Sequence, residues 1–438
     1  MVYAAHVKVL FATAEFAPLA RVGGLAAAAA GLVAELRRQG IDVEVVLPDY
    51  YDTPLEKETV RPLLDVPEWA GPATARTGIA AGVGEITLVN AFGIVKSHPY
   101  LQPDGSGWPD NDRRFMAYSA ALASLTRAVA PDVLHLNDWH TCAALGHLDI
   151  APPTMLTIHT LGYQGRTNPG WLMTLPRHTE AFEQWGDCNP LLGGIRLADV
   201  VVTVSPHYAE EIATPEGGFT LDGPLRERGD RLVGILNGID DEEWNPETDR
   251  HLEITYSAAD VSAKAVTRAK LLAQFGLVDG GGPLLTMVTR LADQKGVDLM
   301  LPVTPFLARL GATLIVLGDG DQRLADSLHA AADAHPQQVA FMARLVKERM
   351  RAIVSAVPDD TMAASKPSSS TSLSNVARIE RTYDRHSPTE SDDVVPPGKN
   401  RSVSRTAPSL KLRAASISPR SPTSTSVEPP PMSTSRMR

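Results

Sequence analysis

The chain has 438 residues, 43% of them hydrophobic and 21% charged, and a formal net charge of −10. At about 150 residues per domain, this length holds two to three domains, each able to bury a core. The acidic balance excludes a general binder of nucleic acid or anionic membrane, because those partners need a positive face. Two cysteines, Cys142 and Cys188, are too few for a disulfide framework and fit a reducing compartment. No apolar run approaches the roughly 18 residues of a bilayer span. The first residues, Met1-Val2-Tyr3-Ala4-Ala5-His6, lack the basic start and leucine-rich stretch of a secretion signal. A soluble, cytoplasmic protein is expected.

In chain order, β-branched runs predict strands at residues 7–12, 43–47, 133–136, 155–158, 200–204, 233–236, 285–288 and 313–317, with another at 339–342. Helical patterns lie between several of them, at 25–38, 115–129 and 263–275. Near-continuous apolar strands alternating with helices predict parallel sheets covered on both faces. The first strand group closes near Asp240, and a second opens at Leu285 after a helical connection. The predicted fold class is therefore α/β: two facing, Rossmann-like, doubly wound domains, over 1–245 and 246–357. Only about three strands of the second are visible, where such a sheet has roughly six. A sheet that short is expected to leave an edge and an apolar face uncovered.

From Pro358 the composition changes. Ser, Thr and Pro make up nearly half of the residues, with one glycine (Gly398) and one aromatic (Tyr383). This stretch has twelve Lys and Arg against eight Asp and Glu, a balance of +4 that leaves −14 upstream. Such a segment cannot bury a core, so 358–438 is expected to be a low-complexity disordered tail.

Ligands of an open α/β sheet sit outside the carboxyl ends of its strands. The first predicted strand leads through Glu15 to Arg21-Val22-Gly23-Gly24-Leu25, which opens a helix. The two glycines suit either close approach of a phosphate to the backbone or a plain turn, and Arg21 either a phosphate contact or a solvated charge. Asn137-Asp138-Trp139-His140 follows the third strand, at the expected mouth of the crevice. There Asp138 and His140 suit hydroxyl binding or proton movement, or else a helix N-cap and a surface histidine. His159 ends the next strand ahead of Thr160-Leu161-Gly162-Tyr163-Gln164-Gly165, and Asn237 follows another in a turn-like Asn-Gly. In the second domain, Arg290 and Lys295 lie close after a strand, as a diphosphate site or a basic loop requires. Gly318-Asp319-Gly320-Asp321 suits a nucleotide-facing turn or an ordinary one. There is no GxxxxGK[ST] loop, no His-Glu-x-x-His and no zinc spacing of cysteines.

With these motifs, residues 6–343 resemble bacterial glycogen synthases and plant starch synthases, retaining glucosyltransferases of the two-domain GT-B fold. The matching blocks are Gly23-Gly24-Leu25, Asn137-Asp138-Trp139-His140, and Thr157-Ile158-His159 with Gly162-Tyr163-Gln164-Gly165. Further blocks are Val204-Ser205-Pro206 with Tyr208-Ala209, Gly234 to Gly238 with Trp244, Pro246-Glu247-Thr248-Asp249, and Arg290-Leu291 with Gln294-Lys295-Gly296. The resemblance implies transfer of glucose from ADP-glucose, as co-substrate, to the non-reducing end of an α-1,4-glucan, without a metal or other cofactor. It implies that Arg290 and Lys295 neutralise the departing diphosphate, that His159 and Asn237 lie near the donor glucose, and that Asp138 faces the acceptor. Arg21 stands where the family usually has lysine, and Ala27 where it often has aspartate. The implied partners are a nucleotide sugar and a glucan, with no nucleic acid or membrane; the oligomeric state is not read.

Family members continue from a strand like 339–342 into a Glu-Pro-Cys-Gly-Leu block and a second Gly-Gly-Leu, and neither occurs after Ala343. The expectation is a reading frame lost between about residues 344 and 362, and weak turnover. The alternatives are a glucan-binding remnant without catalysis, and a GT-B enzyme using another nucleotide sugar. An intact frame across that junction in independent isolates overturns the frame-loss expectation.

Overall fold

The computed structural model describes residues 7–343 and 347–356. The predicted tail lies wholly outside the described residues, and about half of the suspected frame junction does.

The first sheet is built from β1 (Lys8–Ala12), β2 (Asp42–Pro48), β3 (Glu56–Leu63), β4 (Ala73–Ala80), β5 (Gly84–Asn90), β6 (Val133–Asn137) and β7 (Thr154–Ile158). The two-residue strands β8 (Glu183–Gln184) and β9 (Asp187–Cys188) form a separate hairpin; β10 (Val200–Thr203) and β11 (Leu232–Gly234) complete the large sheet. Its order is β11-β10-β7-β6-β1-β2-β5-β4-β3. Neighbours are parallel from β11 to β5, and antiparallel for β5–β4 and β4–β3.

That antiparallel extension corrects the wholly parallel sheet expected from sequence. β3 and β4 are rich in Thr, Ala and charge, so no apolar run announces them. β3 is nearly all exposed and carries Pro62, which an outer strand accepts because its N–H side needs no partner. Arg76 of β4 fastens the extension, reaching Asp49 at 2.6 Å, Glu58 at 2.8 Å and Asp52 at 3.1 Å.

The helix Gly24–Arg38 buries Leu25, Ala26, Ala29 and Val33, a stripe at helical spacing. The helix Asn111–Val129 is buried over most of its length and ends at Ala130, in the left-handed region just before Pro131. Arg114 in its first turns is fully buried and donates to the carbonyls of Gly93 (2.8 Å), Pro99 (3.1 Å) and Ile94 (3.2 Å) and to Asn111 Oδ1 (2.7 Å). One guanidinium thereby satisfies the irregular chain after β5, whose carbonyls lack sheet partners.

The second sheet contains β12 (Leu284–Val288), β13 (Thr313–Leu317) and β14 (Val339–Met342), all parallel, in that order. Every residue of β13 is buried. Leu314 and Val316 join one core with Leu324 and Leu328 of the helix Gln322–Ala334; Ile315 and Leu317 join another with Leu271 and Leu272. The second core also takes Ile353 and Ala356 of the helix Lys347–Ala356. The expected uncovered face is therefore not found: helices pack on both sides of this sheet.

Between β11 and the helix Ser262–Gln274 the described chain has no regular element. It is held at Arg351, which stacks on Trp244 at 3.3 Å and pairs with Asp249 at 3.2 Å and Glu243 at 3.3 Å. Among the described residues, no helix is long and apolar enough to cross a membrane.

Replacing Arg114 by leucine strands several carbonyls inside the core. We expect a loss of about 3 kcal/mol of stability, read as a lower urea midpoint.

Candidate active site

β1 has β2 on one side and β6 on the other, so the chain winds outward in both directions from the β1–β6 pair. A crevice opens at such a reversal. The Arg21-Val22-Gly23-Gly24 loop follows β1, Asp138 follows β6, and His159 follows β7, the next strand over.

Asp138 is buried and leaves β6 at φ +51°, a region that a residue with a Cβ enters at some cost. It occupies the N-cap position of the turn Trp139–Cys142, but its carboxylate does not cap that turn. Instead Oδ1 accepts from the main-chain N–H of His159 at 2.8 Å, and the carboxylate also accepts from the N–H of Thr160. Burial pushes its pKa up to about 7, opposed by those two donors and aided by the nearby charge of Glu15. The result is a carboxyl group that exchanges its proton near neutrality, which is what acid–base work at a sugar hydroxyl requires.

His159 is half-buried, and its Nε2 lies 3.1 Å from Asn137 Oδ1. Asn137 Nδ2 donates to the Ala12 carbonyl at 3.0 Å, so the amide presents oxygen to the ring. Nε2 therefore carries the proton, and Nδ1 is the acceptor. Burial lowers the His159 pKa to about 4, so the ring is neutral at physiological pH.

For His140 the sequence left open a hydroxyl-binding histidine at the crevice mouth or a plain surface one, and neither is found. It is instead buried, stacked between Trp139 at 4.2 Å and Tyr100 at 5.1 Å, with Phe115 edge-on at 4.6 Å. Its Nδ1 is buried without a hydrogen-bond partner. Trp139 in turn packs on Gly165, where a Cβ would lie 2.0 Å from the indole and where φ is +67°. Glycine is required there by both sterics and backbone.

Gly23 and Gly24 differ. Gly23 has an extended backbone (φ −137°), and Gly24 begins the helix. A Cβ would come no closer than 4.0 Å to any neighbour at Gly23 and would meet nothing at Gly24. Neither a turn nor internal packing calls for glycine at these exposed positions. Arg21 is exposed beside them, and Asn237 is exposed in the segment after β11.

Arg290 is exposed and Lys295 half-buried in the loop after β12. Gly318 has a packing role, because a Cβ there would lie 2.2 Å from the Thr289 carbonyl oxygen. Leu291 donates its N–H to Asp319 O at 2.8 Å and accepts from Asp321 N at 2.9 Å. The glycine turn after β13 thus holds the loop that carries Arg290. Two further residues hold the site, and the sequence reading gave neither of them a role. Glu15 accepts from the loop amides of Val22 and Gly23, and Tyr208 OH accepts from Leu161 N at 3.1 Å, holding the chain after His159. An acid eight residues before Gly23 was the signal available for the first, and the second lies in one of the matching blocks.

A doubly wound sheet with polar strand ends, followed by a second parallel sheet, is an arrangement that glycosyltransferases of the GT-B type share. The similarities to known proteins place the chain in that class. Residues 8–227 match the starch synthase catalytic domain. Glycogen synthase of Halorhodospira halophila is 42% identical over 352 residues, spanning 76% of this chain and 73% of that protein. Glycogen synthase of Acidiphilium cryptum is 38% identical over 349 residues, with the same shares of 76% and 73%. The catalytic domain of starch synthase IV from Arabidopsis thaliana, solved with ADP and acarbose, aligns with a TM-score of 0.66 at 28% identity, over 80% of this chain and 76% of that one. The chain belongs to the glycogen synthase and starch synthase family.

Burial lowers the pKa of His135 and His140 to about 3 and of His147 and His159 to about 4. Their depressed folded values mean that stability is complete above the unfolded pKa of about 6.5 and is lost as pH falls toward 4. Asp138, raised to about 7, binds its proton in the folded state and opposes that loss. Four imidazoles outweigh one carboxyl group. We expect stability to fall by about 3 kcal/mol per pH unit near pH 5.5, measured by urea unfolding between pH 7 and pH 5.

Proposed function

We propose that this protein transfers glucose from ADP-glucose to the non-reducing end of an α-1,4-glucan, with retention of configuration, in cytoplasmic glycogen biosynthesis. The relatives named glycogen synthase support the reaction, and the ADP in the starch synthase IV structure supports the nucleotide. The observation that carries the reading is the glycine pair at Gly23 and Gly24, in the loop at the strand reversal. Gly23 is the helix N-cap, which glycine suits. At Gly24 neither backbone nor neighbours call for glycine, so the space it leaves suits a ligand.

On this reading, residues 1–245 form the acceptor-side domain and residues 246–357 the nucleotide-sugar side. The bond from the glucose C1 to the diphosphate breaks, and the diphosphate leaves with the electron pair. A new bond forms from C1 to the acceptor oxygen, and the proton of that hydroxyl passes to the departing diphosphate. Negative charge grows on the leaving phosphate, so Arg290 and Lys295 stabilise the transition state more than the bound donor. Arg21 adds a third cation, and the glycine loop lets the backbone approach. His159 accepts at Nδ1 from a donor hydroxyl, and Asn237 holds another. Asp138, with a proton affinity near neutrality, faces the acceptor hydroxyl, and the buried His140 ring packs against Trp139, the next residue. Gly318 serves the donor through its hold on the Arg290 loop.

The test is transfer from labelled ADP-glucose to a malto-oligosaccharide by the purified chain. Elongation by single glucose units supports the proposal. Glucan retention with no transfer overturns it in favour of a binding protein, and equal competition by UDP-glucose overturns the choice of donor. Gly24→Ala should keep or raise the melting temperature, since alanine is the better helix former. The same variant should lower transfer at least about tenfold by filling the approach to the backbone. Arg290→Ala and Lys295→Ala should each lower kcat/KM by about 100-fold or more, in steady-state assays.

A further inference from the structure

Glu15 lies in the loop after β1, is buried, and belongs to none of the roles above. Its main chain is fixed first: Glu15 N donates to Thr13 Oγ1 at 3.3 Å, and that hydroxyl donates back to Glu15 O at 2.9 Å. The two carboxylate oxygens then face different loops. Oε2 accepts from Gly23 N at 2.7 Å and from Val22 N at 3.0 Å. Oε1 accepts from Tyr100 OH at 3.0 Å. Burial keeps the Tyr100 phenol protonated, so it stays a donor. The Tyr100 ring stacks on His140, two residues from Asp138, and its carbonyl is held by Asn111 Nδ2 at 2.9 Å.

We propose that Glu15 is a positioning residue that ties the glycine loop to the Asp138–His140 loop and sets their register. This rests on the donor-site reading of the glycine loop. A buried carboxylate with three donors in fixed directions makes a stiff joint, because each bond is charge-assisted and loss of any one leaves charge unsatisfied. The joint also engages the amides of Val22 and Gly23, so these do not serve a phosphate; contact there falls to the open glycine face and to Arg21. The two arms separate experimentally, since one oxygen grips the amides and the other the phenol.

The test uses the full chain with Glu15→Ala, Glu15→Gln and Tyr100→Phe. Amide hydrogen exchange at Val22 and Gly23 should quicken about tenfold or more in Glu15→Ala and stay unchanged in Tyr100→Phe. Donor KM should rise about fivefold or more in Glu15→Ala. Glu15→Gln, whose amide oxygen still accepts, should bring KM back to within about twofold of the parent. Tyr100→Phe should lower kcat with little change in donor KM. Unchanged exchange at both amides in Glu15→Ala overturns the proposal, as does a uniform loss of activity that follows melting temperature in all three variants. If the parent chain transfers no glucose, the donor reading fails, and the exchange rates alone decide the place of Glu15.

Discussion

A carboxyl group buried at the end of β6 is the constraint around which the site is arranged. At φ +51° the backbone of Asp138 turns the side chain away from its own short helix and toward the loop after β7, where the His159 amide receives it. Burial without a cationic partner makes ionisation costly, and the two amide donors return part of that cost. A capping aspartate would reach the N–H groups of its own helix, whereas here a strained backbone delivers the carboxylate to a loop from another strand.

Around it the imidazoles are dry and neutral. His135 bonds to Thr157 Oγ1 at 2.8 Å, His159 to Asn137, and His140 lies among aromatic rings. None adds positive charge close to Asp138 at neutral pH, so the carboxyl group keeps its high proton affinity. On the proposed reading, the cations for the diphosphate come mainly from the loop after β12, separate in the chain from the groups proposed for the hydroxyls. That division matches a reaction in which one partner carries all the charge and the other carries none.

Glycine is used for opposite purposes in the same protein. Gly165 and Gly318 are closed positions, filled by the Trp139 indole and the Thr289 carbonyl. Gly23 and Gly24 are open: a Cβ would meet nothing closer than 4.0 Å at the first and nothing within that distance at the second. Closed glycines allow two elements to meet and report on packing. Open ones, at exposed strand-end positions with ordinary φ, suit an approach from outside.

Most of the parallel frame was legible in the sequence, because continuous apolar runs such as Leu10–Ala12 or Leu314–Leu317 can be buried on both faces only in a covered sheet. The strand-end placement of Asp138, His159 and Arg290 follows from the same runs, since each lies just beyond one. The antiparallel β3–β4 extension was not legible: its residues alternate weakly and gain their order from Arg76 and from pairing with β5, both distant in the chain. Nor could the sequence separate an open glycine from a closed one, or a buried His140 from a surface one. Those distinctions depend on which atoms of remote residues occupy the space beside a given Cα. Local sequence determines where the chain extends, coils and turns; only the packed fold decides what each turn faces, because burial and hydrogen-bond partnership are properties of neighbours that the chain order does not record.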